Sequence, residues 1–134
     1  DSPAIELSLQ RRLPIFGVCL GLQGIVEHFG GELGVLPYPQ HGKPAQVTLR
    51  EPRGAIFDEM PQTFQVGRYH SLFSLQDKQP SVIRTTAVTA DGCCMAVQHV
   101  SLPIAGVQFH PESILTATHM GLQMLRNAVE KLRY

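Results

Sequence analysis

Cys19 sits in the run Gly17-Val18-Cys19-Leu20-Gly21-Leu22-Gln23, where an apolar stretch ends and a helical pattern begins. A residue on such a strand-to-helix elbow projects its side chain out of the sheet. Gly17 and Gly21 flank the turn, where a Cβ would meet neighbouring backbone. At a helix N-terminus the thiol faces free N–H groups and the positive end of the dipole. Both favour the thiolate, the nucleophilic form. The Leu20 amide is a donor for an oxyanion at the same place. A cysteine buried inertly beside a strand would carry the same letters.

Residues 106–113, Gly-Val-Gln-Phe-His-Pro-Glu-Ser, supply the second set of chemical groups. In extended chain, residues two apart point to the same side, which puts His110 and Glu112 next to each other. Pro111 fixes its own φ and holds His110 extended. A carboxylate on one imidazole nitrogen sets the tautomer and leaves the other nitrogen for proton transfer. Alone, a His-Pro-Glu turn can be nothing but a turn. With the cysteine elbow it completes nucleophile, base and orienter, the three roles of a catalytic triad. About ninety residues separate Cys19 from His110, so only the fold can join them.

The elements that must do so are legible in outline. Residues 3–12 read as a short helix, opened by Ser2 as N-cap and Pro3 at the first helical position. Residues 13–18 form a continuous apolar run, as in a strand buried on both faces. Leu22, Ile25, Val26 and Phe29 then recur at helical spacing up to Gly30-Gly31. Helix, buried strand, tight turn and helix make one piece of an α/β layered domain. Residues 35–44 read as loop, 46–49 as a short strand, 55–60 as a helical turn and 63–69 as a strand. Residues 81–89 and 93–100 flank Ala90-Asp91-Gly92, a hairpin signal, and 102–109 is a further apolar strand. In 116–133, Leu122, Leu125, Val129 and Leu132 predict the buried face of an amphipathic closing helix.

The 134 residues suit one domain, with 43 % hydrophobic content for its core. Charged residues make up 16 %, and the formal net charge is zero, which leaves no basic footprint for nucleic acid. No apolar run has the length of a membrane span, and Asp1-Ser2-Pro3 lacks signal-peptide shape, so the expectation is a cytoplasmic protein. Three cysteines, Cys19, Cys93 and Cys94, are an odd number without Cys-x-x-Cys spacing. That argues against a disulfide framework and against zinc. Cys93-Cys94-Met95 read as core and turn residues, and His28 and His119 as surface or satisfied core histidines. Tyr69 and His70 fit a substrate wall or simple packing.

The two chemical motifs, together with Gly67-Arg68-Tyr69-His70-Ser71-Leu72 and His41-Gly42-Lys43, give a resemblance that runs over the whole chain. The chain resembles the class I, triad-type glutamine amidotransferases, and within them the glutaminase component of anthranilate synthase and its close relatives. Leu22 stands where many stand-alone members carry His, which leans toward versions fused behind the chorismate-converting domain.

The resemblance implies a flavodoxin-like, doubly wound, largely parallel sheet with an added β-hairpin region. It also implies that the first strands are missing, because nothing here matches the family's Gly-Pro-Gly loop. On this view residues 1–134 are a partial glutaminase domain without its N-terminal βα units, and 13–18 would be a central strand of the whole fold. By the same resemblance Cys19 is the nucleophile, His110 the general acid/base and Glu112 its orienter. Gln23 and the Ser71-Leu72 backbone would hold glutamine, with the Leu20 N–H as oxyanion donor and no cofactor or metal at this site. Ammonia would pass to a chorismate-converting synthase subunit or fused domain, in tryptophan biosynthesis. The 41–43 loop would face that partner or solvent.

Two other readings stand beside this one. A non-catalytic remnant that folds or binds a partner is favoured by the absent loop. A γ-glutamyl hydrolase-like enzyme is disfavoured by the Gln23 and Ser71-Leu72 positions. The chain alone is expected to be a poor glutaminase and to self-associate through its unpaired sheet edge.

Overall fold

The computed structural model describes residues 3–113 and 116–134, so the expected Ser2 cap lies outside the described residues. The order is α1 (Pro3–Gln10), β1 (Ile15–Val18), α2 (Leu20–His28), β2 (Leu33–Val35), β3 (Lys43–Leu49), β4 (Thr63–Arg68), β5 (Leu72–Ser74), β6 (Ile83–Thr89), β7 (Cys94–His99), β8 (Ile104–Val107) and α3 (Thr118–Glu130). Single 3-10 turns occupy Ala55–Phe57 and Gln76–Lys78.

Six strands form one sheet in the order β1-β8-β7-β6-β3-β4, and β2 and β5 form a two-stranded ribbon. β1 and β8 are parallel, in register from Ile15 with Ile104 to Val18 with Val107. The other pairings in the sheet are antiparallel, including the β6–β7 hairpin over Asp91-Gly92. The class is α/β as expected. In this chain the wound, parallel part is the β1–α2–β8 end, and the antiparallel extension makes up the rest.

Both faces of the sheet are covered. Ile104 joins an apolar cluster with Ile5, Leu22, Ile25 and Val26, whereas its neighbour Ala105 joins one with Phe57, Met95, Phe109 and Met124. That alternation is the period of a strand buried on two sides. α2 packs against β1 and β8, and α3 against the Ala55–Phe57 turn. Gly17 lets α2 approach closely: a Cβ there would lie 2.6 Å from the Gly21 carbonyl carbon, whereas a Cβ on Gly21, expected to be as crowded, would stand in open space on the outer side of the helix start. Among the described residues, no helix is long and apolar enough to cross a membrane.

Three expectations are corrected. In β1, read as buried on both faces, Ile15, Phe16 and Val18 are only half-buried. The stretch 35–44 is not all loop, because β2 ends at Val35 and β3 already begins at Lys43. Pro44 is tolerated there because β3 pairs only with β4 until Val47, where β6 joins on its other side. On α3 the expected apolar face is turned outward: Leu122, Leu125 and Val129 are exposed, and of the four only Leu132 is buried. The helix instead buries Gly121, Met124 and Asn127. The Asn127 amide donates to the Ile56 and Asp58 carbonyls, both at 2.9 Å, capping the 3-10 turn. A polar side chain thus takes a core position because buried carbonyls need its donors.

Candidate active site

Cys19 is the hinge between β1 and α2, with φ 54° and ψ −99°, a backbone conformation sparsely populated by residues with a Cβ. Two bonds hold it there. Its N–H donates to the Val107 carbonyl at 2.7 Å, and its carbonyl accepts from the Gln23 N–H at 3.2 Å. Leu20 opens α2, so its N–H has no partner within the helix, and its side chain is exposed. The elbow expected from the sequence is present, with an open tip.

His110 follows β8 on the neighbouring strand. Its Nδ1–H donates to Glu112 Oε2 at 2.8 Å, leaving Nε2 for proton transfer. The Glu112 carboxyl sits below its ordinary value: slight burial works against the charge, but its own backbone N–H and the imidazole outweigh that. The turn is anchored from behind, because the Thr116 hydroxyl donates to the His110 carbonyl at 2.7 Å and accepts from Gly67 N–H at 3.2 Å. Tyr69 stands edge-on to the His110 ring, centroids 5.4 Å apart, and its hydroxyl bonds Ser113 Oγ at 2.9 Å. Tyr69, His110, Glu112 and Ser113 line an open cavity of about 460 Å³.

Because Val18 and Val107 are in register, Cys19 and the 108–110 segment emerge side by side at the ends of parallel strands. Among the described residues Cys19 and His110 are not hydrogen-bonded to each other. The sulfur instead accepts from Gln108 Nε2 at 3.5 Å, and Gln108 Oε1 accepts from Gln23 Nε2 at 3.4 Å. Gln108 is fully buried and Gln23 nearly so. Gln108 lies inside the 106–113 motif but was assigned no role from sequence. The signal available was a polar residue at the end of an apolar strand, two before His110 and so on its side.

Ser71 and Leu72 are held by their carbonyls. Ser71 O accepts from Leu36 N–H, and Leu72 O from His70 Nδ1–H, both at 2.8 Å. β5, which begins at Leu72, packs against α2, the helix of Gln23. Behind them the buried Arg68 donates to His70 Nε2 at 3.1 Å and pairs with Asp91 at 3.3 Å. His41 and Lys43 are exposed, and Gly42 lies over the Tyr69 ring. Cys93 and Cys94 are buried in the core, and burial pushes the Cys93 thiol up to about 11 and raises that of Cys94. His28 pairs with Glu6 at 3.4 Å, and His119 is exposed on α3.

A family model described as glutamine amidotransferase class-I matches residues 2–132. The chain belongs to that family. Among curated relatives of this class-I chain, an anthranilate synthase of Azospirillum brasilense is 53 % identical over 129 residues, covering 96 % of this chain and 17 % of that protein. The aminodeoxychorismate/anthranilate synthase component 2 of Bacillus subtilis is 43 % identical over 122 residues, covering 91 % of this chain and 61 % of that protein. The chain therefore spans only part of the relatives it matches. The crystal structure of a glutamine amidotransferase from Thermotoga maritima superimposes with a TM-score of 0.70 at 18 % identity, covering 96 % of this chain and 52 % of that one. At that identity the likeness speaks for the amidotransferase fold.

Proposed function

We propose that this chain is part of the glutaminase unit of an anthranilate synthase, with Cys19, His110 and Glu112 as its triad. The observation that carries the reading is the strained cysteine elbow on β1 beside the His110–Glu112 pair at the end of its parallel neighbour β8. The Cys19 thiolate attacks the carboxamide carbon of glutamine, and the oxyanion is met by the Leu20 N–H. The C–N bond breaks as His110 Nε2 gives its proton to the leaving nitrogen, releasing ammonia. Water, deprotonated by His110, then cleaves the γ-glutamyl thioester to glutamate and free thiol. Glu112 stabilises the imidazolium between these steps. Cys19 and His110, which share no hydrogen bond in the substrate-free site, are brought into contact when substrate binds. Gln23 and the Ser71-Leu72 backbone hold the substrate. Ammonia passes to a chorismate-converting partner, docked over residues 41–43, where β3 begins.

The experiment is a glutaminase assay on the full-length protein that carries this chain, with and without its synthase partner. Glutamine-dependent ammonia release is expected, and Cys19→Ser is expected to abolish it. Hydrolysis of folate polyglutamates in place of glutamine would move the assignment to a γ-glutamyl hydrolase. No hydrolysis of either would favour a partner-binding remnant. The aminated product is read from the same assay, because the Bacillus relative is named for both aminodeoxychorismate and anthranilate.

A further inference from the structure

The side chain of Gln108 has two hydrogen-bond partners, Cys19 Sγ and the Gln23 carboxamide, and no solvent exposure. Its backbone is fixed as well, with the N–H donating to the Met95 carbonyl at 2.8 Å. A carboxamide has a donor end and an acceptor end, whereas a thiolate can only accept. Once Cys19 ionises, Gln108 has one usable orientation, with Nε2–H on the sulfur and Oε1 toward Gln23. Gln23 must then give an N–H to that oxygen, and its own carbonyl oxygen is left over as an acceptor.

We infer that Gln108 is a catalytic residue that stabilises the Cys19 thiolate, with Gln23 at its other end holding it in the donating orientation. Charge on the sulfur is thereby supported by one relay: Cys19, Gln108, Gln23. Burial makes the relay strict, because a carboxamide cut off from water leaves an atom unsatisfied if it turns over. The role of Gln108 toward the thiolate does not rest on the glutaminase reading.

The test therefore reads sulfur chemistry directly, as the rate of Cys19 alkylation by iodoacetamide against pH in the full-length protein, resolved by peptide mapping. Cys93 and Cys94 are buried and serve as internal reporters that each variant is folded. Gln108→Met is expected to slow Cys19 labelling at neutral pH by roughly tenfold, the typical worth of a hydrogen bond to a charged acceptor, and to move the profile to higher pH. Gln108→Glu keeps the volume but puts a carboxylate against the sulfur, and is expected to slow it further. Gln23→Met does not touch the sulfur, yet is expected to slow labelling several-fold because Gln108 loses the partner that orients it. Wild-type rate and profile in folded Gln108→Met overturn the inference. If that variant exposes Cys93 and Cys94, the same outcome in Gln108→Glu does so. A wild-type rate in Gln23→Met overturns the relay. Failure of the glutaminase assay with these shifts intact would remove the proposed function and leave the role of Gln108 standing.

Discussion

Gly121→Ala should loosen the His-Pro-Glu turn from a distance. Gly121 is buried near the start of α3, directly beneath Pro111, and a Cβ built on it would lie 2.2 Å from the Pro111 carbonyl oxygen. Real Cβ atoms essentially never come within 3.0 Å of a neighbour, so the turn or the helix must retreat by most of an ångström. The atom met is backbone, which no side-chain rotation can remove. Overpacking of this kind costs about 1–3 kcal/mol, several degrees in Tm for a domain of this size. The larger consequence is positional. Pro111 lies between His110 and Glu112, and a misplacement of about 1 Å in a catalytic group can cost on the order of a hundredfold in rate. The measurements are thermal unfolding, glutamine-dependent ammonia release, and iodoacetamide labelling of Cys19. Tm and turnover are expected to fall while labelling of Cys19, on a different element, is unchanged. An alanine variant with wild-type Tm and wild-type turnover would refute the claim that α3 seats the turn.

Three further outcomes are expected. Glu112→Gln keeps the turn but removes the carboxylate 2.8 Å from His110 Nδ1, so kcat should fall with little change in glutamine KM; equal loss in both would assign Glu112 to binding. His70 and His99 are both held below the ordinary 6.5 by burial, so the unfolded chain takes up protons first. Stability should be full above about pH 6.5 and decline as pH falls below it, while Cys93 produces the opposite loss as pH rises from 9.0 toward about 11; a flat unfolding profile across both windows would contradict the burial of these groups. Cys19→Gly should be more stable than Cys19→Ala by about 1 kcal/mol or more, because glycine relaxes the positive φ; equal stability would mean the elbow carries no strain.

Much of this architecture is written locally. The strand–elbow–helix over Cys19 is a contiguous pattern, and the β6–β7 hairpin follows from Asp91-Gly92 between two strand-like runs. The His110–Glu112 pair follows from the two-residue period and Pro111. What escaped depends on partners distant in sequence. β2 and β5 are three residues each, and their pairing of Leu33 with Ser74 leaves no local pattern to read. The orientation of α3 is set by Gly121 against Pro111 and Asn127 against the Ala55–Phe57 turn, neither of which registers as hydrophobic periodicity. Gln108 looked like one more strand residue until the parallel register of β1 and β8 placed it against Cys19. Fold class and the motif residues were therefore legible, and the hydrogen-bonded support around them was not.

The backbone of Cys19 has a bearing on inheritance. At φ 54° the residue best suited to the turn is glycine, and a single-base change converts a cysteine codon to a glycine codon. This chain thus stands one base change away from a more relaxed one. Folding alone gives no reason to refuse that step, since stabilising replacements of this kind are readily accessible to evolution. Under the proposed function that relaxed chain would have lost its nucleophile, so the strain of the elbow and the chemistry of the site are carried by one and the same residue.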